Sequence, residues 1–530
     1  MAKRIDAATL KTMINDGDEL ALLDVREDGQ FGEAHLLLTV PVPYSTLESK
    51  LDGLLPRRTV RTVLVDAGDG IAEKAAKRMQ AVGYDDISIL DGGVDAWAAA
   101  GNVIFKGVNV PSKAFGEVVE HEAHTPSISA DELQALFDSG EDVVVVDGRT
   151  PEEYKRMSIP NGISVPNAEL VYRIHDIAPS PDTKVVVNCA GRTRSIIGAQ
   201  TLRNAGIPNE VVALRAGTMG WNLAGLELDH GASRKYPDVS ADGMAAAQER
   251  AARMAETYGV GKVDLATLDA WRAEKDRTLY VLDVRSAEEY EAGHLPGAVH
   301  APGGQLVQST DAWVGTRGAR IVLTDDTEIR AITAAHWLAQ MGWDVHVLAG
   351  GIGDAATETG RPARVILGIE DMAAEELTPA ELKDAIAKGD IVIVDMDLSG
   401  EYREHHLPGA VWSIRPRLEA LVPSLPSGKR ILVYSEHEMR ARLAILDLRE
   451  LTDAPIAILK GGREAWREAG LPTESSPDTP PDSERLDYLF FVHDRHDGNE
   501  AAMREYLSWE EGLPAQIDAD GDANFRVVAP

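Results

Sequence analysis

Apolar and polar positions follow one pattern along this chain, and the pattern recurs four times. Short β-branched runs lead into an aspartate and a charged stretch: LLDVREDGQFGEAHLLLTVPVP (22–43), VVDGRTPEEYKRMSIPNGISVP (145–166), VLDVRSAEEYEAGHLPGAVHAP (281–302) and IVDMDLSGEYREHHLPGAVWSI (393–414). Further on in each comes a second apolar run joined to a helix-period stretch, as in VVVNCAGRTRSIIGAQTLRNAGI and RIVLTDDTEIRAITAAHWLAQMGW. Each ends on a closing segment: ILDGGVDAWAAAG, ALRAGTMGWNLAG, VLAGGIGDAATETG and ILKGGREAWREAG. Short strands alternating with amphipathic helices predict an α/β fold of four units, each a mainly parallel sheet flanked by helices. Ser129 with Glu132, and Thr378 with Glu381, predict capping boxes that open the second and fourth units.

These boundaries place units at 1–107, 125–228, 260–362 and 375–475, with a C-terminal tail at 484–530. Residues 102–127 and 361–376 read as irregular separators, and ADGMAAAQERAARMAETYG, within 228–262, as a connector helix. SSPDTPPDS (475–483) reads as a proline-rich linker. The tail carries YLFF and a helix-like AAMREYLSWEEG, and is expected to dock back, since YLFF would otherwise be exposed.

Composition narrows the function. At 530 residues the length suggests about three to five domains. A formal net charge of -33 disfavours nucleic acid and an anionic membrane as partners, because both require a basic surface. The N-terminus lacks the apolar core of a secretory signal, and no run approaches the roughly 18 apolar residues of a membrane span. One cysteine excludes an intrachain disulfide and a zinc site of several thiolates. A lone thiol fits a reducing, cytoplasmic setting.

That cysteine, Cys189, sits in VVVNCAGRTRSIIGAQ. Val185–Val187 predict a buried strand ending at Asn188, and Ile196, Ile197, Ala199 and Leu202 predict a helix face beginning near Arg194 or Ser195. A strand's C-terminal end beside a helix N-terminus is where open α/β sheets bind ligands, and its unbonded N–H groups favour anions. The loop Ala190, Gly191, Arg192, Thr193, Arg194 and Ser195 is therefore the candidate substrate cradle. Its amides form a nest, and Arg192 and Arg194 attract a small dianion. The expectation is a thiol pKa lowered towards or below neutrality, a reactive thiolate, and amides that stabilise a persulfide.

At these residues the chain resembles the multidomain rhodaneses, which are thiosulfate sulfurtransferases. The resemblance rests on Asp-x-Arg (Asp24-Val-Arg26, Asp147-Gly-Arg149, Asp283-Val-Arg285), HLPGA at 294–298 and 406–410, the cysteine loop, and the closing Gly-Gly…Trp. It implies sulfur transfer from thiosulfate to cyanide or a thiol, a protein thiol included, through a persulfide on Cys189, with no cofactor and no metal. It also implies a substrate-facing role for Arg149, while Arg26 and Arg285, which hold the same place in units without a cysteine, leave a fold-stabilising ion pair as the alternative. Asp66, Asp325 and Ser435 align with Cys189, so units one, three and four are expected to be inactive. Units one and two are expected to pair, as in tandem rhodaneses. Units three and four are left as a scaffold, a partner platform or a homo-oligomer surface.

Other motifs read as decoys. Gly351-Ile-Gly353 mimics a dinucleotide fingerprint but aligns with the repeats' closing turn. DADGDAN (518–524) echoes a calcium loop but has Ala529 where the bidentate glutamate belongs, so it reads as an acidic turn, and HDRHD (493–497) reads as a polar turn. Among rival functions, a phosphatase or arsenate reductase uses Cys-x5-Arg, whereas Ser195 stands at that arginine position here. Mercaptopyruvate-using relatives commonly have small neutral residues after the cysteine, where this loop has two arginines. A persulfide carrier or sensor is the non-enzymatic rival.

Overall fold

In the computed structural model, residues 2–493, 495 and 498–528 are described. Each repeat forms one five-stranded sheet. Counted along the chain within a repeat, the strands stand in the spatial order first, fifth, fourth, second, third, the same in all four. The strand pairings are parallel, as expected for strands joined by helical crossovers.

In the second repeat the fourth strand, Lys184–Asn188, is the middle one. It runs beside Val143–Asp147, with Asp147 opposite Asn188, and beside Val211–Leu214 on its other edge. Helices cover both faces, so the strand is a continuous valine run rather than an alternating one. Val185 and Val187 pack into one core with Leu170 and Leu202, while Val186 packs into the other with Leu133 and Trp221. Burying each such side chain contributes about 1.5–3 kcal/mol, so this strand, and the cysteine at its end, is held from both sides.

Both capping boxes form. Ser129 and Glu132 exchange hydrogen bonds at the start of helix Ala130–Ser139, and Thr378 and Glu381 do so at helix Pro379–Lys388. The connector is the helix Ala241–Thr257, and the tail forms the helix Glu500–Asp520. The separator at 102–127 is not wholly irregular: it contains the helix Val110–Ala123. Its signals were present, with proline at the second helical position and apolar residues at Val110, Ala114, Phe115 and Val119 on the buried side.

The repeats group into two compact units. One comprises Met1–Leu10, Leu22–Gly107 and Arg364–Phe490, joining the first repeat to the fourth. The other comprises Lys11–Ala21, Val108–Ala363 and Phe491–Pro530, joining the second repeat to the third. The expected pairing of repeats one and two is thereby corrected. Side chains with no local signal decide the grouping. Within the first unit, fully buried Arg415 of repeat four binds Glu48 of repeat one at 2.6 and 2.8 Å, and Asp447 at 2.5 Å. Within the second, buried Arg330 of repeat three reaches Glu169 of repeat two at 3.0 Å, and the Trp337 indole donates to Thr201 at 2.8 Å. A core running from Phe115 and Ile197 to Ile332 and Trp337 fills the space between these two repeats.

Two motifs resolve simply. Gly351 sits in the closing turn of repeat three, where the next N–H, of Ile352, donates to Asp325 O at 2.9 Å. Asp518 and Asp520 lie in the last turn of the C-terminal helix, which Gly521 ends, so DADG is a helix end rather than the acidic turn of the sequence reading. Ala529 falls outside the described residues, as do Asp494, His496 and Asp497 of HDRHD. Among the described residues no helix is long and apolar enough to cross a membrane.

Candidate functional site

Cys189 is the first residue after the strand Lys184–Asn188, and helix Thr193–Asn204 begins four positions later. The thiol is 2% exposed. Beneath it, Asn188 donates to Asp147 at 2.7 Å, fixing the strand end. From the side, the closing helix Gly217–Leu223 grips the loop: Thr218 N–H donates to Cys189 O at 2.9 Å and Met219 N–H to Ala190 O at 3.1 Å. Gly217, at φ 53°, lies so close that a Cβ there would stand 2.2 Å from Cys189 O. Only glycine tolerates that approach in the left-handed region.

The corresponding residues of the other repeats show what the loop does. Asp66 and Asp325 are likewise the first residues after their strands, and their carbonyls accept from Val94 and Ile352 as Cys189 accepts from Thr218. The Asp325 carboxylate accepts N–H bonds from Thr327 (3.1 Å), Arg330 (2.9 Å) and Ala331 (3.2 Å). Asp66 accepts from Gly68 at 2.8 Å and Ala72 at 3.0 Å. The loop is an amide cradle for a negatively charged atom, as helix N-termini are. In repeat two the side chain in that cradle ends in sulfur.

Electrostatics at the sulfur differ from the sequence expectation of a depressed pKa. Burial pushes the Cys189 thiol up. The Arg194 charge, the Ser195 hydroxyl 3.6 Å from Sγ, and the Ser195 and Gly191 N–H groups pull it back without overcoming burial. The folded pKa is raised, so the folded state favours the neutral thiol. That preference is full below the unfolded thiol pKa and is lost as pH climbs through the folded one. Alkylation of Cys189 by iodoacetamide is therefore expected to be slow at neutral pH and to accelerate through the alkaline range. A rate already at its plateau at neutral pH contradicts this.

The three arginines part company. Arg192, expected to clamp the anion, donates to Glu117 at 2.8 and 2.7 Å, Glu120 at 2.5 Å and Glu511 at 3.2 Å. Three carboxylates from two helices pair with it. Arg149, 3% exposed, makes a two-pronged pair with Asp147 at 2.9 and 2.7 Å and donates to Met157 O at 2.6 Å. Arg26 with Asp24 and Arg285 with Asp283 repeat this pair in the cysteine-free repeats. Arg149 thus makes the same framework pair as its counterparts in the cysteine-free repeats. Arg194 braces the loop against Glu153 through two 2.7 Å bonds, yet remains the cation that acts on Cys189. Arg330 makes the matching brace to Glu289 in repeat three.

Thr193 donates to Glu510 at 3.5 Å, and Ser195 donates to Arg192 O at 2.8 Å. Gly191 lies under the C-terminal helix: a Cβ there would meet Met219, Glu510 and Tyr506. Sequence reasoning missed Lys113, Glu117, Tyr506 and Glu510. All lie on helices outside the repeat, and no spacing rule connects them to Cys189.

Comparison with known proteins places this architecture. A model of the rhodanese-like domain matches residues 6–100, 129–224, 265–356 and 378–469. An HTH-type transcriptional regulator of Mycobacterium tuberculosis is 36% identical over 114 residues, which is 21% of this chain and 48% of the regulator. The chain thus spans about half the length of that relative. A putative sulfur carrier protein of Bacillus subtilis is 24% identical over 140 residues, covering 24% of this chain and 72% of the carrier. The crystal structure of a thiosulfate sulfurtransferase from Pseudomonas aeruginosa is similar over 99% of this chain and 100% of that one, with 44% identity and a TM-score of 0.93.

Proposed function

The chain belongs to the rhodanese-like domain family, and on that premise we propose that it is a thiosulfate sulfurtransferase carrying sulfur as a persulfide on Cys189. The observation that carries this reading is the cradle: repeats one and three fill it with the carboxylates of Asp66 and Asp325, and repeat two with a sulfur nucleophile. A cradle built for negative charge suits both a thiolate and a persulfide anion.

The ionised fraction of Cys189, supported by Arg194, Ser195 and the loop amides, attacks the outer sulfur of thiosulfate. A sulfur–sulfur bond forms to Cys189 as the one within thiosulfate breaks, and sulfite leaves with the electron pair. An acceptor, cyanide or a thiolate, then attacks the outer persulfide sulfur and releases the Cys189 thiolate. This is two-step covalent catalysis. Asp66, Asp325 and Ser435 cannot take part, so one site serves four repeats. A reducing, cytoplasmic setting keeps the thiol available between cycles.

A second reading, a persulfide carrier that hands sulfur to a protein thiol, is supported by the similarity to the putative sulfur carrier protein of Bacillus subtilis. Both readings share the first half-reaction. Intact-mass measurement after thiosulfate treatment is expected to show a gain of one sulfur atom, with sulfite released in step. Phosphate released from an aryl phosphate, without sulfur gain, would overturn the proposal in favour of a phosphatase. Turnover with a protein thiol but with no small acceptor would select the carrier.

A further inference from the structure

Two helices outside the repeat, Val110–Ala123 and Glu500–Asp520, close over the cysteine loop. Glu510, 2% exposed, projects from the second. Its Oε1 accepts the Tyr506 hydroxyl at 2.8 Å and the Thr193 hydroxyl at 3.5 Å. Its Oε2 is buried with no hydrogen-bond partner among the described residues, and it stands 3.2 Å from where a Cβ on Gly191 would lie. An unpaired buried carboxylate oxygen is costly, and it marks a polar position that lacks its partner.

Cations surround this carboxylate. Lys113 is 4% exposed, with its ammonium 5.1 and 5.0 Å from the ring centres of Tyr506 and Trp509. Burial pulls its pKa down to about 7, while the charge of Glu510 holds it up. The Arg495 guanidinium lies 3.6 Å from the Tyr506 ring centre, and its Nε and Nη1 are buried without hydrogen-bond partners among the described residues. The loop's own Arg192 and Arg194 are already paired with carboxylates. Among the described residues, Lys113 and Arg495 are the cations beside Tyr506 that no carboxylate pairs in a salt bridge.

The repeats supply an internal comparison. In repeats one and three the carboxylate at the cradle is built into the strand end. In repeat four Asp397 accepts from the Ser435 hydroxyl at 2.8 Å and the Glu436 N–H at 2.6 Å, so it too places a carboxylate there. In repeat two the cradle holds the Cys189 sulfur, and a carboxylate reaches the loop only from a distant helix, where Glu510 accepts from Thr193.

We infer that Glu510 is an exchangeable stand-in for the donor's anionic end, and that Lys113, Arg495, Tyr506 and Thr193 form the subsite that takes the sulfonate group of thiosulfate when Glu510 withdraws. The inference rests on the sulfurtransferase reading. A dianion and a carboxylate repel each other in so enclosed a site, so one must leave before the other enters. The donor's apparent affinity is then reduced by the fraction of molecules in which Glu510 is seated.

Steady-state kinetics with thiosulfate, on the full chain, tests this. Glu510→Gln is expected to lower KM about tenfold, with a smaller change in kcat, because the competing charge is gone. Lys113→Met is expected to raise KM by about the same factor, and Lys113→Arg to restore most of it. Alkylation of Cys189 gives a readout independent of turnover. The rate ratio of anionic iodoacetate to neutral iodoacetamide should rise in Glu510→Gln and fall in Lys113→Met, whereas mere loosening of the helix would accelerate both reagents together. An unchanged ratio with unchanged or raised KM in Glu510→Gln overturns the inference. If that variant does not fold, an unchanged KM and ratio in Lys113→Met overturns it alone. Failure of the parent reading looks different: the wild type would gain no sulfur and release no sulfite, while the alkylation ratios still shifted.

Discussion

Cys189→Ser is expected to take up no sulfur from thiosulfate and to lose at least about a thousandfold in sulfite release, with its fold intact. The substitution keeps the shape of the side chain and exchanges one atom. Serine is far less acidic than cysteine, so almost none of it ionises in a site where burial already disfavours charge. Oxygen also cannot form the sulfur–sulfur bond that holds the intermediate. No other residue can substitute, because the aligned positions carry Asp66, Asp325 and Ser435 and the chain has no second cysteine. The stability change should stay within about 1 kcal/mol, since the pocket keeps its volume and the hydroxyl keeps a neighbour in Ser195. Thermal unfolding checks the fold, and intact mass checks the chemistry. A serine variant that still gains a sulfur atom would move the site elsewhere.

Gly217→Ala is expected to damage both stability and activity. The new Cβ would lie 2.2 Å from Cys189 O and 2.8 Å from its carbonyl carbon, inside any tolerated contact. The residue also sits at φ 53°, where a side chain adds roughly 1–2 kcal/mol. Both atoms in the clash are backbone, so no rotamer relieves it, and the cysteine loop must shift. That shift strains the Thr218-to-Cys189 bond and moves the sulfur relative to Ser195 and the loop amides. A total loss of about 3–4 kcal/mol, with turnover down at least about a hundredfold, is the expected result. Gly93→Ala is the control. There a Cβ would stand 2.1 Å from Asp66 O at φ 58°, the same clash in a repeat without the cysteine. It should destabilise its own unit and leave sulfur uptake per folded molecule unchanged. Comparable activity losses in both variants would show that Gly217 acts through stability alone.

The sequence reading and the structure agree most closely where the physics is local. The valine run of 185–187, the glycine at 191 and the helix face from Ile196 are neighbours along the chain, so their pattern alone placed Cys189 between a strand end and a helix start. The capping boxes at Ser129 and Thr378 depend on groups three residues apart, and both formed. The Asp-x-Arg motif was local too, but its meaning was divided between a substrate contact and a framework pair. The geometry of Arg149, shared by Arg26 and Arg285, favours the framework.

The surroundings differ from the sequence reading where the partner is remote. Arg192 looked like free positive charge because nothing near it in the chain opposes it. Glu117 and Glu511, 75 and 319 residues away, saturate it in the fold. The thiol was expected to be ionised because dipoles and guanidinium groups are legible in a motif, whereas the burial that outweighs them is not.

By itself, then, the sequence determined the fourfold α/β repeat and the place of the lone cysteine between a strand end and a helix start, because hydrophobic period, turn chemistry and capping act within a few residues. Only the tertiary structure decided which repeats share a unit, which arginines are already neutralised and that Glu510 stands over Gly191. Those outcomes depend on burial and on charges brought together from distant parts of the chain, and a linear pattern carries no measure of either.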